Sequence, residues 1–243
     1  IIDMSSSIGG SLTGAAFSLI GGPTGYFIGP VAGSIVEYFF KKAGKEIKDR
    51  VLSQSEERKI TTVYNLAAEK IKTRLSDGDQ IRQDDFFGTE GTSRSKADEV
   101  FEDILFSVEK EVEEQKLEYI ATLFSNIVFD STVSKEESHQ VISIARNISY
   151  RQLAILQIII FNQYGKALFG KINPSNDSPR GSMYGTINGY HNISVLTEVL
   201  DLYRKGIIHS STVIFDVASI NPSELIVAGV GLKLYNLMEL ENF

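Results

Sequence analysis

The sequence predicts a mainly α-helical protein with three parts: an N-terminal glycine-zipper helical segment, a helical-bundle body and a C-terminal winged-helix-like α+β module. Three observations predict this fold class. Glycines recur at every fourth position in an uncharged stretch, apolar residues recur at helical spacing through the middle, and the last part mixes helical and β-type runs. We place the three parts at residues 1–40, 41–148 and 149–243.

The N-terminal segment carries no charged residue between Met4 and Val36. A run of this length can cross a hydrocarbon core about 30 Å thick. Its glycines recur at a spacing that places them on one helix face, where another helix can approach closely. They are Gly21, Gly25, Gly29 and Gly33. Pro23 and Pro30 each remove a helical hydrogen bond, so we expect a kinked helix or a helical hairpin.

The apolar side chains of this segment are predicted to meet lipid or neighbouring copies: Phe17, Ile20, Phe27, Ile28, Val31 and Ile35. Charge returns at Glu37, and the basic residues that follow would hold the body on the cytoplasmic side of a membrane. Three of them are the predicted contacts to anionic headgroups: Lys41, Lys42 and Lys45. Because Gly, Ser, Thr and Pro dilute the hydrophobicity of the segment, we expect conditional insertion by a cytoplasmic protein.

Two capping boxes mark helix starts in the body, at Ser53–Glu56 and Ser134–Glu137. The first predicts a helix from about residue 55 to 75, and the second a helix that ends near Asn147. An irregular connector is expected over residues 76–95.

The longest predicted helix follows this connector and runs from about Lys96 to Phe129. Its apolar residues form one continuous stripe, which includes Val108 and Val112. The middle of the helix is rich in glutamate, and we expect these side chains to face water: Glu109, Glu111, Glu113 and Glu114.

The C-terminal part changes from helical to mixed patterns. The predicted elements are a helix at Tyr150–Tyr164, a loop at 170–192, a helix at Ile193–Lys205 that stops at Gly206, a β-type run at Thr212–Val217, a turn at Asn221–Pro222 and an apolar end at Leu225–Leu240. This order is typical of a winged-helix module.

The composition excludes several kinds of site. The chain has no cysteine, so it has no disulfide, thiolate zinc site or cysteine nucleophile. Its three histidines lack metal-binding spacing, and turns and helix caps account for Asp77, Asp79, Asp84 and Asp85. We therefore expect no catalytic, cofactor-binding or metal-binding residue and no enzymatic activity.

Charge also disfavours nucleic acid as a partner. The formal net charge is −7, and the segment from Ser149 onward has seven basic and seven acidic residues. The predicted helix at Ile193–Lys205 exposes Glu198 and Asp201, which a phosphate backbone would repel.

Three stretches between residues 113 and 156 carry a resemblance to a known family. They are EEQKLEYIATLFSNIVF (Glu113–Phe129), SKEE (Ser134–Glu137) and NISYRQLAIL (Asn147–Leu156). This layout is similar to that of the Abi-alpha family of abortive-infection proteins, where a helix with an "L-F-x-N-I"-like end precedes a short helix and an "L-S-x-x-Q-L-x-I-L"-like helix. The resemblance implies a bacterial defence or growth-arrest role and places no catalytic residue in this chain.

The leading hypothesis is a non-enzymatic bacterial defence or toxin-type effector whose N-terminal segment associates with or permeabilises the inner membrane. Its expected partners are the membrane, further copies of itself in a homo-oligomer, and a protein bound by the C-terminal module. One alternative is a soluble oligomeric adaptor in which the glycine segment is a buried packing element. A third is a winged-helix DNA-binding regulator.

Overall fold

The computed structural model describes residues 32–89, 94–163, 186–187 and 190–242. These residues are mainly helical, which confirms the prediction of a mainly α-helical protein. Eight α-helices and two two-stranded antiparallel sheets lie within the described ranges. The chain divides into two compact units, residues 1–142 and 143–243, and each is described by itself.

The first unit has four complete helices in its described part, and the division between the units falls within a fifth. These helices are α1 (Ala32–Lys48), α2 (Gln54–Ser76), α3 (Lys96–Lys110), α4 (Lys116–Phe129) and α5 (Lys135–Asn147). α1 therefore runs across residue 40, where the sequence pattern placed a boundary.

Both predicted capping boxes form. The Ser53 hydroxyl accepts a hydrogen bond from the Glu56 N–H at 3.3 Å, and the Glu56 carboxylate accepts one from the Ser53 N–H at 2.9 Å. The Ser134 hydroxyl and Glu137 make the same exchange at 3.2 and 3.0 Å. Because these bonds satisfy amides that no helical carbonyl reaches, α2 and α5 begin where the sequence predicts.

α2 is central to the first unit, since both α3 and α4 pack against it. Its buried apolar residues follow helical spacing: Ile60, Val63, Tyr64, Ala67, Ile71 and Leu75. This is the stripe predicted for the helix from about 55 to 75, and its burial supplies the hydrophobic free energy that holds the helices together.

The prediction of one long helix from Lys96 to Phe129 is wrong, because the chain breaks over residues 111–115 between α3 and α4. Glu111, expected to face water, is only 7% exposed, whereas Val112, expected on the apolar stripe, is 87% exposed. The Glu111 carboxylate forms a buried ion pair with Lys116 at 2.5 Å. It also accepts hydrogen bonds from the N–H groups of Val112 and Glu113, each at 2.9 Å.

A lysine from α2 stabilises the carbonyl groups at the end of α3, on the N-terminal side of this break. The Lys59 ammonium donates hydrogen bonds to the carbonyl oxygens of Glu109 at 2.9 Å and Glu111 at 2.8 Å. A cation at the carbonyl end of a helix is stabilised by the helix dipole. The end of α3 is therefore fixed by a residue that lies far away in sequence.

The connector between α2 and α3 is anchored by Arg82, whose side chain is almost fully buried. Its guanidinium donates to the carbonyl oxygens of Ile127 and Val133, at 3.3 and 3.0 Å, and forms an ion pair with Asp84 at 2.6 Å. It also lies 4.3 Å from the centre of the Phe86 ring. Arg82 thus ties the connector to the end of α4.

The second unit contains three further helices and the two small sheets among its described residues. Its elements are α6 (Tyr150–Gln163), β1 (Thr186–Ile187), β2 (Tyr190–His191), α7 (Asn192–Arg204), β3 (Ile208–Ser210), β4 (Leu225–Val227) and α8 (Gly229–Leu237). The sheets pair β1 with β2 and β3 with β4. Gly206 ends α7 with a φ of 69°, as the sequence predicts.

The predicted β-type run at Thr212–Val217 is wrong, because the strand lies at Ile208–Ser210 instead. Ile208 is buried, whereas Val213 and Phe215 are exposed, so burial favours pairing of the earlier residues. The later stretch makes local hydrogen bonds: Thr212 donates to Glu224 at 2.6 Å, and the Asp216 carboxylate caps the short 3₁₀ turn at Val217–Ser219.

α8 approaches the start of the β3–β4 hairpin through a glycine. A Cβ built on Gly231 would lie 1.9 Å from the carbonyl oxygen of Ile207, well inside van der Waals contact. Because this oxygen belongs to the backbone, it cannot move aside as the end of a flexible side chain could. Only glycine therefore allows this close packing.

Replacing Arg82 with Met should lower the free energy of unfolding by about 3 kcal/mol, because two buried carbonyls lose a charged donor. Urea unfolding of the full chain, followed by circular dichroism, measures this change in the free energy of unfolding. Arg58→Met is the matched control, since Arg58 pairs with Glu114 on the surface and its loss should leave the unfolding midpoint almost unchanged. Equal effects of the two substitutions would contradict the role given to Arg82.

Gly231→Ala should destabilise the protein by about 3 kcal/mol, because the new methyl group forces α8 away from Ile207. Gly206→Ala should cost about 1 kcal/mol, because its positive φ is strained for alanine but the space around it is open. Thermal unfolding of both variants provides the comparison. A loss at Gly206 as large as that at Gly231 would show that backbone strain, not close packing, governs this region.

Candidate functional site

The end of the uncharged segment is folded against the first unit as α1. One face of this helix is buried in the core: Val36, Phe39, Phe40, Ala43 and Ile47. Apart from the adjacent pair Phe39 and Phe40, successive positions are three or four residues apart, as in an amphipathic helix. The sequence contained this signal, but it continues past the boundary predicted at residue 40. The buried face of α1 is a feature that reasoning from the uncharged run alone missed.

Phe39 lies in a cluster of aromatic rings. Its ring centre is 5.5 Å from that of Phe101 on α3 and 5.8 Å from that of Phe124 on α4. Phe87, in the connector, lies 5.8 Å away, and Phe40 lies 5.2 Å away on α1 itself. Aromatic pairs at such distances add attraction beyond the area they bury. The cluster therefore fastens α1 to the connector, α3 and α4.

Two polar contacts fix the position of α1 along this surface. The Tyr64 hydroxyl on α2 donates a hydrogen bond to the Phe40 carbonyl oxygen at 2.8 Å, and burial raises the pKa of this phenol well above its usual value. Arg50, just after α1, forms an ion pair with Glu109 near the end of α3 at 2.6 Å. Hydrogen bonds require more exact geometry than apolar contacts, so these two contacts fix where α1 lies on α2 and α3.

Lys42 forms the most buried ion pair of α1, with Asp98 in the first turn of α3 at 2.6 Å. Asp98 also accepts a hydrogen bond from the Ser95 N–H at 2.8 Å. Burial acts to raise the pKa of the Asp98 carboxyl, but the hydrogen bonds from Lys42 and Ser95 outweigh it and hold that pKa below its ordinary value. Lys42, predicted to contact headgroups, is therefore engaged within the protein.

The opposite face of α1 is exposed. It presents Ile35, Tyr38, Lys41 and Lys45, and Tyr38 is 72% exposed. Lys41 also forms an ion pair with Glu37, one helical turn before it. Tyrosine and lysine are typical of the boundary between water and lipid, where an apolar stem can be buried while a polar tip stays wet. We call these four side chains the outer face of α1.

Only a few of the other predicted site residues lie within the described part of the chain. Gly33 lies within α1, although its packing is outside the described part. Most of the glycine and lipid-facing set lies outside the described residues: Phe17, Ile20, Gly21, Gly25, Phe27, Ile28, Gly29 and Val31. The structure thus brings together only the last members of the predicted set, Ile35, Lys41 and Lys45, on the outer face of α1.

The acidic residues of the connector act in turns and ion pairs. Asp77 is the C-cap residue of α2, and Asp79 pairs with Arg74 at 2.7 Å. Asp84 holds Arg82, and this contact lowers the pKa of the Asp84 carboxyl. Asp85 pairs with Lys96 at 2.7 Å. Within the described ranges no group of three or more His, Cys, Asp or Glu side chains could hold a metal ion.

The two acidic residues of α7 were both expected to face outward, but the side chain of Asp201 is 45% exposed and that of Glu198 only 19%. Glu198 is largely buried and forms an ion pair with Arg151 on α6. Asp201 accepts a hydrogen bond from the Gln152 side chain at 2.8 Å and pairs with Lys205. Both carboxylates therefore join α6 and α7, and the prediction that Glu198 is exposed is wrong.

Among the residues that the structure describes, no helix combines the length and the apolarity needed to cross a membrane. No protein-family model, curated protein or solved structure matches this chain. The resemblance to the Abi-alpha family therefore stays a prediction.

Lys42→Ala should lower the free energy of unfolding by about 2 kcal/mol near neutral pH, because Asp98 keeps a buried charge and loses its cation. Lys41→Ala, on the adjacent residue, should have little effect, since its partner Glu37 is on the same exposed helix surface. Urea unfolding of the three proteins across pH measures both effects.

The pH dependence follows from the lowered pKa of Asp98. Its ionised form contributes stability above the unfolded pKa, about 3.9, and that contribution is lost as pH falls through the folded value. The difference between Lys42→Ala and the unmodified protein should therefore shrink below about pH 4. A difference independent of pH would show that Lys42 stabilises α1 by packing alone.

Proposed function

We propose that this chain is a non-enzymatic effector that associates with or permeabilises a membrane through its uncharged N-terminal segment. The observation that carries the proposal is the two-sided character of α1, which contains the end of that segment. Its inner face is occupied by the body, and its outer face carries Ile35, Tyr38, Lys41 and Lys45. The segment would enter lipid while α1 stays at the headgroups, attached to the body.

Charge magnitudes support an essential role for the uncharged segment. A lysine near an anionic surface contributes about 1 kcal/mol. Of the three predicted headgroup contacts, Lys42 is bound to Asp98 and Lys41 is paired with Glu37, which leaves Lys45 and a partly neutralised Lys41. Two such charges are too few for stable binding by a chain with a net charge of −7. Apolar insertion of the residues before Ala32 must therefore supply most of the affinity.

The biological setting rests on sequence resemblance. The three stretches similar to the Abi-alpha family suggest a bacterial defence or toxin-type role, for which permeabilising the inner membrane is a direct means of arresting growth. The glycine positions Gly21, Gly25, Gly29 and Gly33 would serve as the face on which inserted segments pack together.

A second candidate is a soluble oligomeric adaptor with a protein-binding C-terminal module. The observation that favours it is the wing-like loop between β3 and β4, which exposes Val213 and Phe215, the latter at 79%. The order of α6, α7, the β3–β4 hairpin and α8 supports a winged-helix-like module that binds protein. The exposed carboxylate of Asp201 on α7 would repel a phosphate backbone, which disfavours DNA as the partner.

Vesicle flotation separates the two candidates. The full chain is compared with a chain that starts at Ala32, using vesicles of phosphatidylethanolamine and phosphatidylglycerol. A start at Ala32 keeps the whole of α1, whereas a start at Lys41 would remove Phe39 and Phe40 from the core. The full chain should float and release trapped dye, and the shorter chain should do neither.

Two variants test separately the glycine face of the uncharged segment and the outer face of α1. Gly25→Leu together with Gly29→Leu should abolish dye release, because the segments can no longer pack closely. Tyr38→Glu should weaken flotation several-fold without changing stability, since Tyr38 lies on the outer face of α1. A full chain that stays with the soluble fraction, and loses its oligomers when shortened to Ala32, would favour the adaptor instead.

A further inference from the structure

The break between α3 and α4 lacks the residues that normally interrupt a helix. Residues 111–115 read Glu-Val-Glu-Glu-Gln, with no Gly, Pro, Asn or Asp. Apart from valine, these are good helix formers, and the apolar stripe continues through them. Local sequence therefore favours a continuous helix, and contacts from elsewhere in the fold impose the break.

Side chains replace the missing helical hydrogen bonds at this point. In a continuous helix, the carbonyls of Glu109 and Glu111 would accept from N–H groups four residues later. In the structure they accept from Lys59 at 2.9 and 2.8 Å. The N–H groups of Val112 and Glu113 would likewise bond to helical carbonyls, but they donate to the Glu111 carboxylate instead. Both conformations thus satisfy the same backbone groups.

Val112 indicates what the continuous form would gain. It is 87% exposed in the break, although it lies four residues after the buried Val108. In a continuous helix these residues fall on one face. Straightening would therefore turn an exposed valine toward the apolar stripe, at the cost of the contacts made by Lys59 and by the Glu111–Lys116 pair.

We propose that α3 and α4 can fuse into one helix, so that α4 leaves its own α2 and packs on the α2 of a second copy of this chain. The product is a domain-swapped dimer in which residues 111–115 are the hinge. A swap re-forms, between copies, every contact that α4 makes within one copy, so the free-energy difference lies almost entirely in the hinge and in the entropy of association. This route does not depend on the uncharged N-terminal segment.

The surface that would receive the second copy is well defined. Arg74 on α2 donates a hydrogen bond to the Asn126 side chain at 2.8 Å and lies 3.9 Å from the centre of the Phe129 ring. Lys70 on α2 lies 3.9 Å from the carboxylate of Glu118 on α4. α2 and α4 thus share specific polar contacts along their length, and a second copy of α4 is the partner that this surface fits.

Lys59→Met tests the hinge, because it removes the donor that stabilises only the broken form. In sedimentation experiments on the full chain, it should lower the concentration at half-dimerisation by at least tenfold. Lys72→Met, at an exposed position of α2 about three and a half helical turns after Lys59, should leave that concentration unchanged. Adding Val112→Gly to Lys59→Met should restore the monomer, because glycine disfavours the continuous helix.

A crosslink between chains tests the swap directly and does not depend on the Lys59 variant folding. Because the chain has no cysteine, Lys70→Cys and Glu118→Cys can be placed in separate chains. The two are refolded together at high concentration and treated with a short bifunctional maleimide. A chain carrying both substitutions is the positive control, since it should crosslink internally as a monomer.

A mixed Lys70→Cys and Glu118→Cys dimer supports the swap, and it should persist when Gly25→Leu and Gly29→Leu are present in both chains. If the doubly substituted chain crosslinks internally but the mixture gives no dimer, the proposal is overturned. Dimers that form without this crosslink and vanish with the glycine substitutions would also overturn it, and would support packing of the N-terminal segments, as the proposed function requires.

Discussion

The packing of Phe39 between α3, α4 and the connector is the interaction on which the first unit depends. The rings of Phe101, Phe124 and Phe87 surround it at 5.5 to 5.8 Å. Each ring comes from a different element, so one side chain of α1 holds three parts of the fold in register. The ion pair of Lys42 with Asp98 then fixes the direction of the helix on that cluster.

This arrangement gives the uncharged segment a firm attachment. A helix whose inner face is buried cannot present that face to lipid, so membrane contact through α1 is limited to its outer face. Val36, Phe39 and Phe40 belong to the core of the first unit, so they cannot enter lipid while this fold is kept. In the proposed function, attachment to the body would fall to α1 and insertion to the residues before it.

Sequence reasoning succeeded where the determining signal is local. The capping boxes at Ser53 and Ser134 and the stop at Gly206 act within a few residues of the backbone they organise, and all three are found as predicted. It failed at residues 111–115, where the local pattern favours a helix and the decisive donor, Lys59, comes from another element. The candidate site shows the same difference between local signals and contacts from distant elements. Helical spacing can separate the faces of α1, but nothing in the sequence near Lys41 and Lys42 identifies which lysine meets Asp98.

The helix α4 contributes both to the packing of α1 and to the proposed swap, and this links the two proposals. Phe124, which stacks on Phe39, belongs to α4, the helix that the swap would exchange. Arg50 and Lys59 both reach Glu109, the first through its carboxylate and the second through its carbonyl. In a swapped dimer, α1 would therefore rest on an α3 from its own chain and an α4 from the second copy. Self-association through the body would then join two membrane-directed segments in one assembly, so that dimerisation raises their local concentration before any glycine face is paired.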